Sequence, residues 1–573
     1  MTDLLNLGTT ALSATQTALS TTSHNISNIN TEGYSRQRAE FATHPANFEG
    51  GFYVGSGVNI STVERMFDNF LAVQVRVYTS QEAQLDTFNQ FARQLDDLLS
   101  TPELSVSKGM EDFFNAVHEV ANDPTSIPAR QVMLSQAEIF TSRLNTLDQQ
   151  LESFKDQVNS GLDVIVKDIN VMSKSISNLN QAIIDASGGG AVPPNDLLDQ
   201  RDQILNELSA LVSVDTTVQD DGSINVFIGN GQALVVGNTQ LDLSLIPNPT
   251  DPLQQDIGYG ASQINVTKQI TGGQIGGLLS VRSDVILSAQ TELDNMAAGV
   301  ASVFNEQHQK GITLSGSLGG EFFTVPTIGT VDAGNIRVAL TDARDIAVGL
   351  PVSIQNNVAN AGTGQIEIKS VDGTTPFSGV PPTYPSTNLS FSFDGTNYTI
   401  TDNLTTETAS FAYDPSSQSG LTVDLASLVW SGGTPPDLTV TISGVPQVTD
   451  TFALQSVDLT GIAVGDNRNA LAMADIQTSK TLDPNGTGSN THSFGDVLGV
   501  LVANVATRTH QSEAGQKTQQ GLLDQTKLRY ETVSGVNLDE EAANLIKFQQ
   551  AYQAAAQIIK TANTIFDTLL RVV

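Results

Sequence analysis

The chain has 573 residues, enough for several domains with substantial cores. Its 61 acidic and 27 basic residues give a formal net charge of −34, which argues against nucleic acid and anionic membrane surfaces as principal partners. Cysteine is absent, so disulfides, thiolate metal ligands and cysteine nucleophiles are excluded.

The first predicted helix covers residues 3–29 and ends at Gly33, a residue suited to a left-handed helix stop. Leu5, Leu12, Leu19 and Ile26 recur every seven positions, with small or polar residues between them. This spacing is typical of a helix that shares a seam with a second helix. The helix has no Lys or Arg before Arg36 and no continuous apolar core, so a conventional secretory signal is not expected. A protein of this kind would need a dedicated export route to leave the cell.

Helical periodicity dominates the next part of the chain. It predicts helices from about Glu64 to Leu99, over 110–120, from Pro128 to Ala186, over 196–212 and over 277–309. The 128–186 helix would be roughly 85 Å long, which suits a rod better than a compact enzyme. Val214 to Ile228 predicts a β-hairpin around an Asp-Asp-Gly-Ser turn.

From Ile312 to about Lys480 the pattern changes to short alternating runs separated by Gly- and Pro-rich turns. The predicted strands include 336–340, 366–368, 389–393 and 438–442. We expect an inserted all-β outer domain of one or two sandwich- or barrel-like units. No apolar run in the chain is long enough to span a bilayer, so membrane insertion is not expected.

The C-terminal helix repeats the sevenfold spacing of the first helix. After a helix over 494–532 and a Ser534-Gly535 hinge, Leu538, Leu545, Tyr552, Ile559 and Phe566 occupy one heptad position. Asn537 and Glu540 resemble a capping box at its start. The two terminal seams can pair only if the intervening chain loops out and returns. The alternative is that the terminal helices merely complete a globular core.

The predicted fold class is therefore α+β multidomain, in three parts. Residues 1–30 with 537–573 form a paired-helix coiled coil. Residues 31–311 with 485–536 form a long-helix rod domain with β-hairpins, and 312–484 form the inserted all-β domain.

Residues that could carry chemistry are scattered. The six histidines lack metal-ligand spacing, Asp220-Asp221-Gly222 lacks the Glu of a calcium loop, and Gly229-Asn230-Gly231 lacks the Lys of a phosphate loop. No Gly-x-Ser-x-Gly nucleophile motif is present. We therefore predict no catalytic residue, no metal and no cofactor, although an enzymatic β insertion would need no recognisable linear motif.

The segment from Asn25 to Gln37 (NISNINTEGYSRQ) resembles the N-terminal signature of bacterial flagellar rod, hook and hook-associated proteins. Further blocks are similar to the hook–filament junction branch of that family: 54–58, 197–202, 304–308, 465–471, 534–541, 548–552 and 561–563. The resemblance covers the helical parts at both ends and says little about 312–480.

This resemblance implies a structural subunit, exported by the flagellar type III system from the cytoplasm to the extracellular hook–filament junction. Its terminal helices would form an inner tube. The implied partners are other copies of the chain in a ring, hook protein, the second junction protein and an export chaperone on the C-terminal helix. The filament cap and the export apparatus would be transient partners.

We expect the assembly interface to comprise Leu5, Leu12, Leu19, Ile26, Leu538, Leu545, Tyr552, Ile559 and Phe566. Gly33, Tyr34, Arg36 and Gln37 are either an ordinary helix stop and loop or, as the resemblance suggests, a further subunit contact. Because short Thr- and Ser-rich helices are marginal alone, we expect both termini to be mobile in the free subunit and to order on assembly.

Three alternatives remain open at this point. The chain could be a sister axial protein, such as hook protein or a flagellin. It could be an adhesin whose β insertion binds glycans, or it could carry an enzyme in that insertion.

Overall fold

A computed structural model of the chain describes residues 2–49, 52–101, 105–188, 193–324, 330–371, 388–432, 436–456, 465–482 and 491–572. The chain forms two compact units. The first comprises Met1–Gln94, Phe154–Ile286 and Thr507–Val573, and the second comprises Leu95–Ser153 and Leu287–Ala506. The three-part division of the chain stays a prediction.

The helices follow the predicted periodicity closely. They are α1 (Thr2–Ser27), α2 (Asn69–Ser100), α3 (Val106–Asn122), α4 (Ile127–Ser187), α5 (Asn195–Leu211), α6 (Gly273–Val281), α7 (Leu287–Gln309), α8 (Arg468–Asp475), α9 (Phe494–Ser534) and α10 (Leu538–Val572). A π-helical turn, Arg282–Ile286, joins α6 to α7, so the helix predicted over 277–309 is interrupted.

The strands of the first unit form small antiparallel sheets. They are β1 (Gln37–Thr43), β2 (Asn47–Glu49), β3 (Phe52–Val54), β4 (Val58–Arg65), β5 (Val214–Val218), β6 (Ile224–Ile228), β7 (Gln232–Val236), β8 (Thr239–Gln240), β9 (Leu243–Pro247), β10 (Gln255–Tyr259) and β11 (Ile264–Asn265). The sheet orders are β1-β4, β2-β3, β5-β6-β7-β8 and β11-β10-β9. The predicted hairpin over 214–228 is confirmed as β5 and β6.

The predicted start of the second helix near Glu64 is wrong. Glu64 pairs with Arg38 in the β1–β4 ladder, and α2 begins at Asn69. Val58 and Ile60 alternate with polar residues, which fits a strand, and that strand continues through Arg65 as β4.

The apolar periodicity of helix α4 corresponds to a buried face of the helix. Most of the residues at steps of three and four, from Met133 through Leu144 and Val158 to Ile183, are buried along its length. Gly161 lies in this pattern because a Cβ there would come within 2.9 Å of Leu278 Cδ1 in α6. Close packing of α6 thus accounts for a residue that costs helix propensity.

In the first unit α2 and α9 run antiparallel and are joined by side-chain amides. Asn89 Nδ2 donates to Gln516 Oε1 at 3.0 Å, and Gln516 Nε2 donates to Asp86 Oδ1 at 2.6 Å. Further along the pair, the rings of Phe67 and Tyr530 meet edge to face.

The second unit contains the all-β insertion, which is confirmed as a sandwich. Its strands are β12 (Val352–Asn356), β13 (Gln365–Val371), β14 (Asn388–Phe393), β15 (Asn397–Asp402), β16 (Thr408–Ala412), β17 (Leu421–Asp424), β18 (Leu438–Ser443) and β19 (Thr451–Ser456). A five-stranded sheet, β12-β19-β14-β15-β16, and a three-stranded sheet, β13-β18-β17, enclose one core.

Two expectations within 312–480 differ from the structure. Residues 336–340 are not a strand, since only Val338 forms an isolated bridge, to Phe323. Residues 468–475 are helix α8. Ile336 is nevertheless buried, so the alternating pattern there reports burial of one side without a pairing partner. Within the described ranges, none of the helices combines the length and the apolar character needed to cross a bilayer.

Candidate assembly interface

The two ends of the chain lie side by side, because α1 packs against α10. Asn25 Nδ2 donates to Glu541 Oε2 at 3.2 Å, and a Cβ built on Gly8 would come within 2.6 Å of Ile559 Cγ1. Residue numbers fall along α1 as they rise along α10, so the pair is antiparallel. Chain ends separated by more than 500 residues thus form one element.

The seam between α1 and α10 is built from small residues. Its buried members are Gly8, Ala14, Thr15, Ala18, Thr22 and Asn25 in α1 and Glu541, Ala555 and Ala562 in α10. Small side chains let two helix backbones approach closely. Small residues therefore line much of the contact, and Ile559 of the predicted row shares it by packing against Gly8.

The predicted apolar rows lie beside this seam. Leu5, Leu538, Tyr552 and Phe566 are exposed, with 37–52% of their surface accessible, and Leu12, Leu19, Ile26, Leu545 and Ile559 are half-buried. On each helix the centre of the row lies roughly 50–90° round from the centre of the seam, in the same rotational sense, and the row borders the seam at Ile26 and Ile559. In an antiparallel pair that places both rows on the same side. We call these nine residues the apolar face.

The base of the helix pair is held by Arg36. Its Nε donates to Glu541 Oε1 at 2.8 Å, and its Nη1 and Nη2 donate to Glu540 at 3.0 and 2.6 Å. Burial lowers the pKa of Arg36, but the two glutamates outweigh burial and leave it above its ordinary value. The same contacts hold the pKa of Glu540 below its usual range.

Asn25 joins the helix pair to strand β1. Its Nδ2 donates to the Gln37 carbonyl at 2.8 Å, and its Oδ1 accepts from the Gln37 N–H at 3.0 Å and from the Tyr34 hydroxyl at 2.7 Å. Burial, and then Asp196, Asp199 and Glu541, raise the pKa of Tyr34. The hydrogen bonds of Tyr34 and Gln37 to Asn25 therefore hold the single chain together, before any contact with another copy.

A second ion pair ties β4 to α5 beside this base. Arg65 Nη1 lies 2.9 Å from Asp199 Oδ1 and 2.7 Å from Asp202 Oδ2, and the Ser35 N–H donates to Asp199 Oδ2 at 3.0 Å. Burial raises the pKa of Asp199 despite these contacts.

The turn between α1 and β1 requires glycine at position 33. Gly33 has a φ of +78°, and a Cβ there would come within 2.9 Å of Gln203 Oε1. Both its conformation and its surroundings therefore favour a residue without a side chain.

Sequence reasoning missed Asn25, Arg65, Asp199 and Glu541 as members of this site. Asn25, Asp199 and Glu541 belong to the sequence blocks that carried the family resemblance. The presence of all three blocks in one chain was the signal that could have pointed to these residues. Among the residues that the structure describes, no group of three or more His, Cys, Asp and Glu side chains could hold a metal ion.

Three family models of flagellar proteins match segments of this chain. Residues 92–323 match the family model for the flagellar hook-associated protein FlgK helical domain. Residues 5–34 match the flagella basal body rod protein model, and 529–572 match the C-terminal model of the flagellar basal body rod FlgEFG proteins.

Individual relatives give the same result. Flagellar hook-associated protein 1 of Escherichia coli (strain K12) is 31% identical over 585 residues, covering all of both chains. The protein of that name from Bacillus subtilis (strain 168) is 28% identical over 406 residues, covering 62% of this chain and 80% of its own.

A solved structure shares the fold. The flagellar hook junction protein FlgK from Burkholderia pseudomallei matches with a TM-score of 0.68 at 24% identity, covering 81% of this chain and 100% of its own. On the full-length identity, this chain belongs to the flagellar hook-associated protein 1 family, a family of structural proteins of the hook–filament junction.

Proposed function

We propose that this chain is a ring-forming subunit that joins the flagellar hook to the filament. Copies of the chain contact one another through their paired terminal helices. Hook protein binds on one side of the ring, and the second junction protein binds on the other. The protein works outside the cell, as part of the flagellum.

The observation that carries this proposal is the apolar face. Four of its members are exposed in the single chain, and five are half-buried at the border of the small-residue seam. Burying apolar surface contributes roughly 25 cal/mol per Å², so neighbouring copies that cover this face gain free energy on assembly. Surface rows of leucine and aromatic residues on a helix pair mark interaction sites.

The exposed apolar face would also have to be covered before assembly, so that copies of the chain do not associate too early. We propose that the chain passes from the cytoplasm through the flagellar type III export apparatus, with a chaperone covering the α10 part of the face until export. The filament cap contacts the chain only transiently. We assign no enzymatic activity to it.

The predicted mobility of the free termini stays part of this proposal. Arg36, Asn25 and Glu541 tie down the base of the pair, whereas the distal part is held mainly by small-residue packing. Hydrogen exchange on the isolated chain should therefore be fastest in the distal parts of α1 and α10. Slow exchange throughout both helices would contradict it.

Deletion of the gene tests the function directly. Cells that lack the protein should build hooks without filaments and release flagellin into the medium, and expression of the wild-type chain should restore filaments. Normal filaments in the deletion strain would contradict the proposed role.

A further inference from the structure

Four loops form the end of the β sandwich that lies away from its attachment. The chain enters the sandwich at Val352 and leaves it at Ser456, and these two residues pair with each other at one end, which we call the root. Loops at the other end connect β12 to β13, β14 to β15, β16 to β17 and β18 to β19. We call this end the tip, and its loops are residues 357–364, 394–396, 413–420 and 444–450.

Three valines are exposed at the tip. Val358 is fully exposed, and Val445 and Val448 each expose more than half of their surface. The Thr363 N–H donates to the Val445 carbonyl at 2.8 Å, which joins the loop that holds Val358 to the loop that holds the other two valines. Apolar side chains that share adjoining exposed loops form a patch, and patches rather than single residues mark interaction sites.

A buried carboxylate holds these two loops in place. Asp450 is 2% exposed, and it accepts hydrogen bonds from the N–H groups of Ala361, Gly362 and Gln447 at 2.8, 3.0 and 2.8 Å. Because the loops are already fixed, a partner that binds the valines loses little free energy to ordering them.

Backbone strain at Thr449 positions Val448. Thr449 has a φ of +82°, a conformation that β-branched residues rarely adopt, and its N–H donates to the Phe393 carbonyl at 3.1 Å. The turn holds Val448 beside Gly395, where a Cβ would lie 3.3 Å from Val448 Cγ2. Strain of this kind persists only where the surrounding structure imposes it, and it is frequent at binding sites.

The charges beside the valines are negative. Asp394 and Asp414 lie in or next to the tip loops and are exposed. Hydrogen bonds from the N–H groups of Asn397 and Thr396 lower the pKa of Asp394 to about 2, and hydrogen bonds from Ser416 lower the pKa of Asp414. Both carboxylates are therefore ionised at neutral pH.

The sandwich has almost no basic residues to offset these charges. Lys369 is the only Lys, Arg or His between Arg344 and Arg468, and it lies toward the root end of β13. Nucleic acid, anionic membranes and acidic glycans would be repelled by the tip. The tip of a second copy would be repelled for the same reason.

A neutral glycan is also a poor fit to the tip. The aromatic residues beside its loops, Phe393, Tyr398 and Tyr413, are at most 5% exposed, so they cannot stack on a sugar ring. Apolar surface next to negative charge is instead complementary to apolar side chains next to positive charge.

We propose that the tip binds a basic polypeptide segment in which apolar side chains stand next to Lys or Arg. Val358, Val445 and Val448 bury the apolar side chains, and Asp394 and Asp414 face the cations. The patch is small, so the contact is a weak or transient one. This role is additional to the proposed junction function and does not depend on it, since the tip is no part of the apolar face.

Peptide selection on the folded full-length chain tests the class of partner. A random peptide display library is first depleted on the variant with Val445→Ser and Val448→Ser and is then selected on the wild-type chain. Both substituted side chains are exposed, so the variant should keep the wild-type circular dichroism and melting temperature. The surviving peptides should be rich in Lys and Arg and should carry Leu, Ile, Val or aromatic residues. No survivors, or survivors without basic residues, would overturn the proposal.

Val358 tests the apolar part of the contact independently, because it plays no part in the selection. Val358→Ser should weaken binding of the selected peptides by about fivefold, as measured by fluorescence anisotropy. Val429→Ser is the matched control. Val429 is 91% exposed and lies two residues before Ser431, whose N–H donates to the Thr408 carbonyl at the root end of β16. Equal affinities of the two variants would contradict burial of the tip valines.

Asp394→Asn tests the charged part. The asparagine keeps a side-chain oxygen for the turn, so the loss should be that of the charge, about threefold in affinity, with a weaker dependence on salt. Asp424→Asn is the matched control, because Asp424 is also exposed and accepts from the Ala426 N–H at 2.9 Å, toward the root. Unchanged binding by Asp394→Asn, or an equal loss in both variants, would contradict the pairing of the tip carboxylates with basic residues.

Discussion

Arg36 Nε donates to Glu541 Oε1 at 2.8 Å, although the two residues lie 505 positions apart in the chain. Glu541 is only 2% exposed and Arg36 is 15% exposed at the side chain, so each neutralises a charge that is otherwise costly to bury. The contact joins the turn after α1 to the first turn of α10. It therefore fixes where the two terminal helices meet.

Arg36→Ala should loosen the base of the helix pair. Glu541 would keep only the Asn25 amide, and the lost charged hydrogen bonds should cost about 2 kcal/mol. Hydrogen exchange in the first two turns of α10 should accelerate by about thirtyfold. Arg38→Ala is the matched control, because Arg38 is 56% exposed and pairs with Glu40 on its own strand. Equal effects of the two variants would contradict the assigned role of Arg36.

Gly8→Ala should destabilise the helix pair, although alanine is the better helix former. The added Cβ would lie 2.6 Å from Ile559 Cγ1, which forces the helices apart. Gly521→Ala in α9 is the control, since a Cβ there has no atom within 4 Å and should stabilise by up to about 1 kcal/mol. Thermal unfolding measures both, and Ile559→Ala should partly rescue Gly8→Ala.

Aspartate on the apolar face should block assembly and leave the monomer folded. Leu5→Asp and Tyr552→Asp change side chains that are each 37% exposed, so folding should tolerate them while neighbouring copies cannot bury the charge. Leu545→Asp and Ile559→Asp should also abolish assembly and chaperone binding while the middle of the chain stays folded, although Ile559 also contacts Gly8. Val358→Asp, at a fully exposed position of the insertion, is the control. Normal filaments from the Tyr552 variant would contradict the role of the face.

His308 should make the second unit sensitive to acid. Its Nδ1 lies 2.8 Å from the Gly320 carbonyl and its Nε2 accepts from the Ala347 N–H at 2.9 Å, an arrangement that only the neutral ring can make. Burial, reinforced by the charge of Arg130, lowers the pKa of His308 to about 4.

The sign of this effect follows from proton linkage. Since the folded-state pKa lies below the ordinary value near 6.5, the unfolded chain binds the extra proton first. Stability is present above pH 6.5 and falls by up to about 3 kcal/mol as pH drops to about 4. Urea unfolding of wild type and His308→Gln between pH 4 and pH 7 measures this, and a variant that retains the full acid dependence would contradict it.

Local sequence patterns predicted much of this fold, because the correctly predicted elements depend on residues that are close together in the sequence. The apolar steps of α4 and the turn between Val218 and Ile224 each lie within a few residues of one another. The strand predicted over 336–340 is absent, because alternation of apolar and polar residues indicates burial of one side but not the presence of a partner strand. The Arg36–Glu541 pair could not be predicted by any local pattern.

The terminal seam was partly predictable. The sevenfold spacing predicts two long helices with related faces, and both helices are confirmed. The spacing does not distinguish the small residues of the contact from the apolar row that borders it. The small residues Gly8, Thr15 and Ala18 lie in the same heptads and permit closer approach of the backbones. When a helix carries both a small-residue row and an apolar row, the first can serve the chain itself and leave the second exposed.

The central claim is that α1 and α10 of one chain pair with each other in the working protein. Gly8→Cys with Ile559→Cys tests it directly, since a Cβ at position 8 would lie against the Ile559 side chain and a disulfide needs two cysteines in such close contact. In hook particles oxidised before denaturation, we predict a fast-migrating, internally cross-linked monomer, and no such band for Gly8→Cys with Ile546→Cys. Failure of the Gly8–Ile559 pair to cross-link, or cross-links only between different copies, would contradict the account.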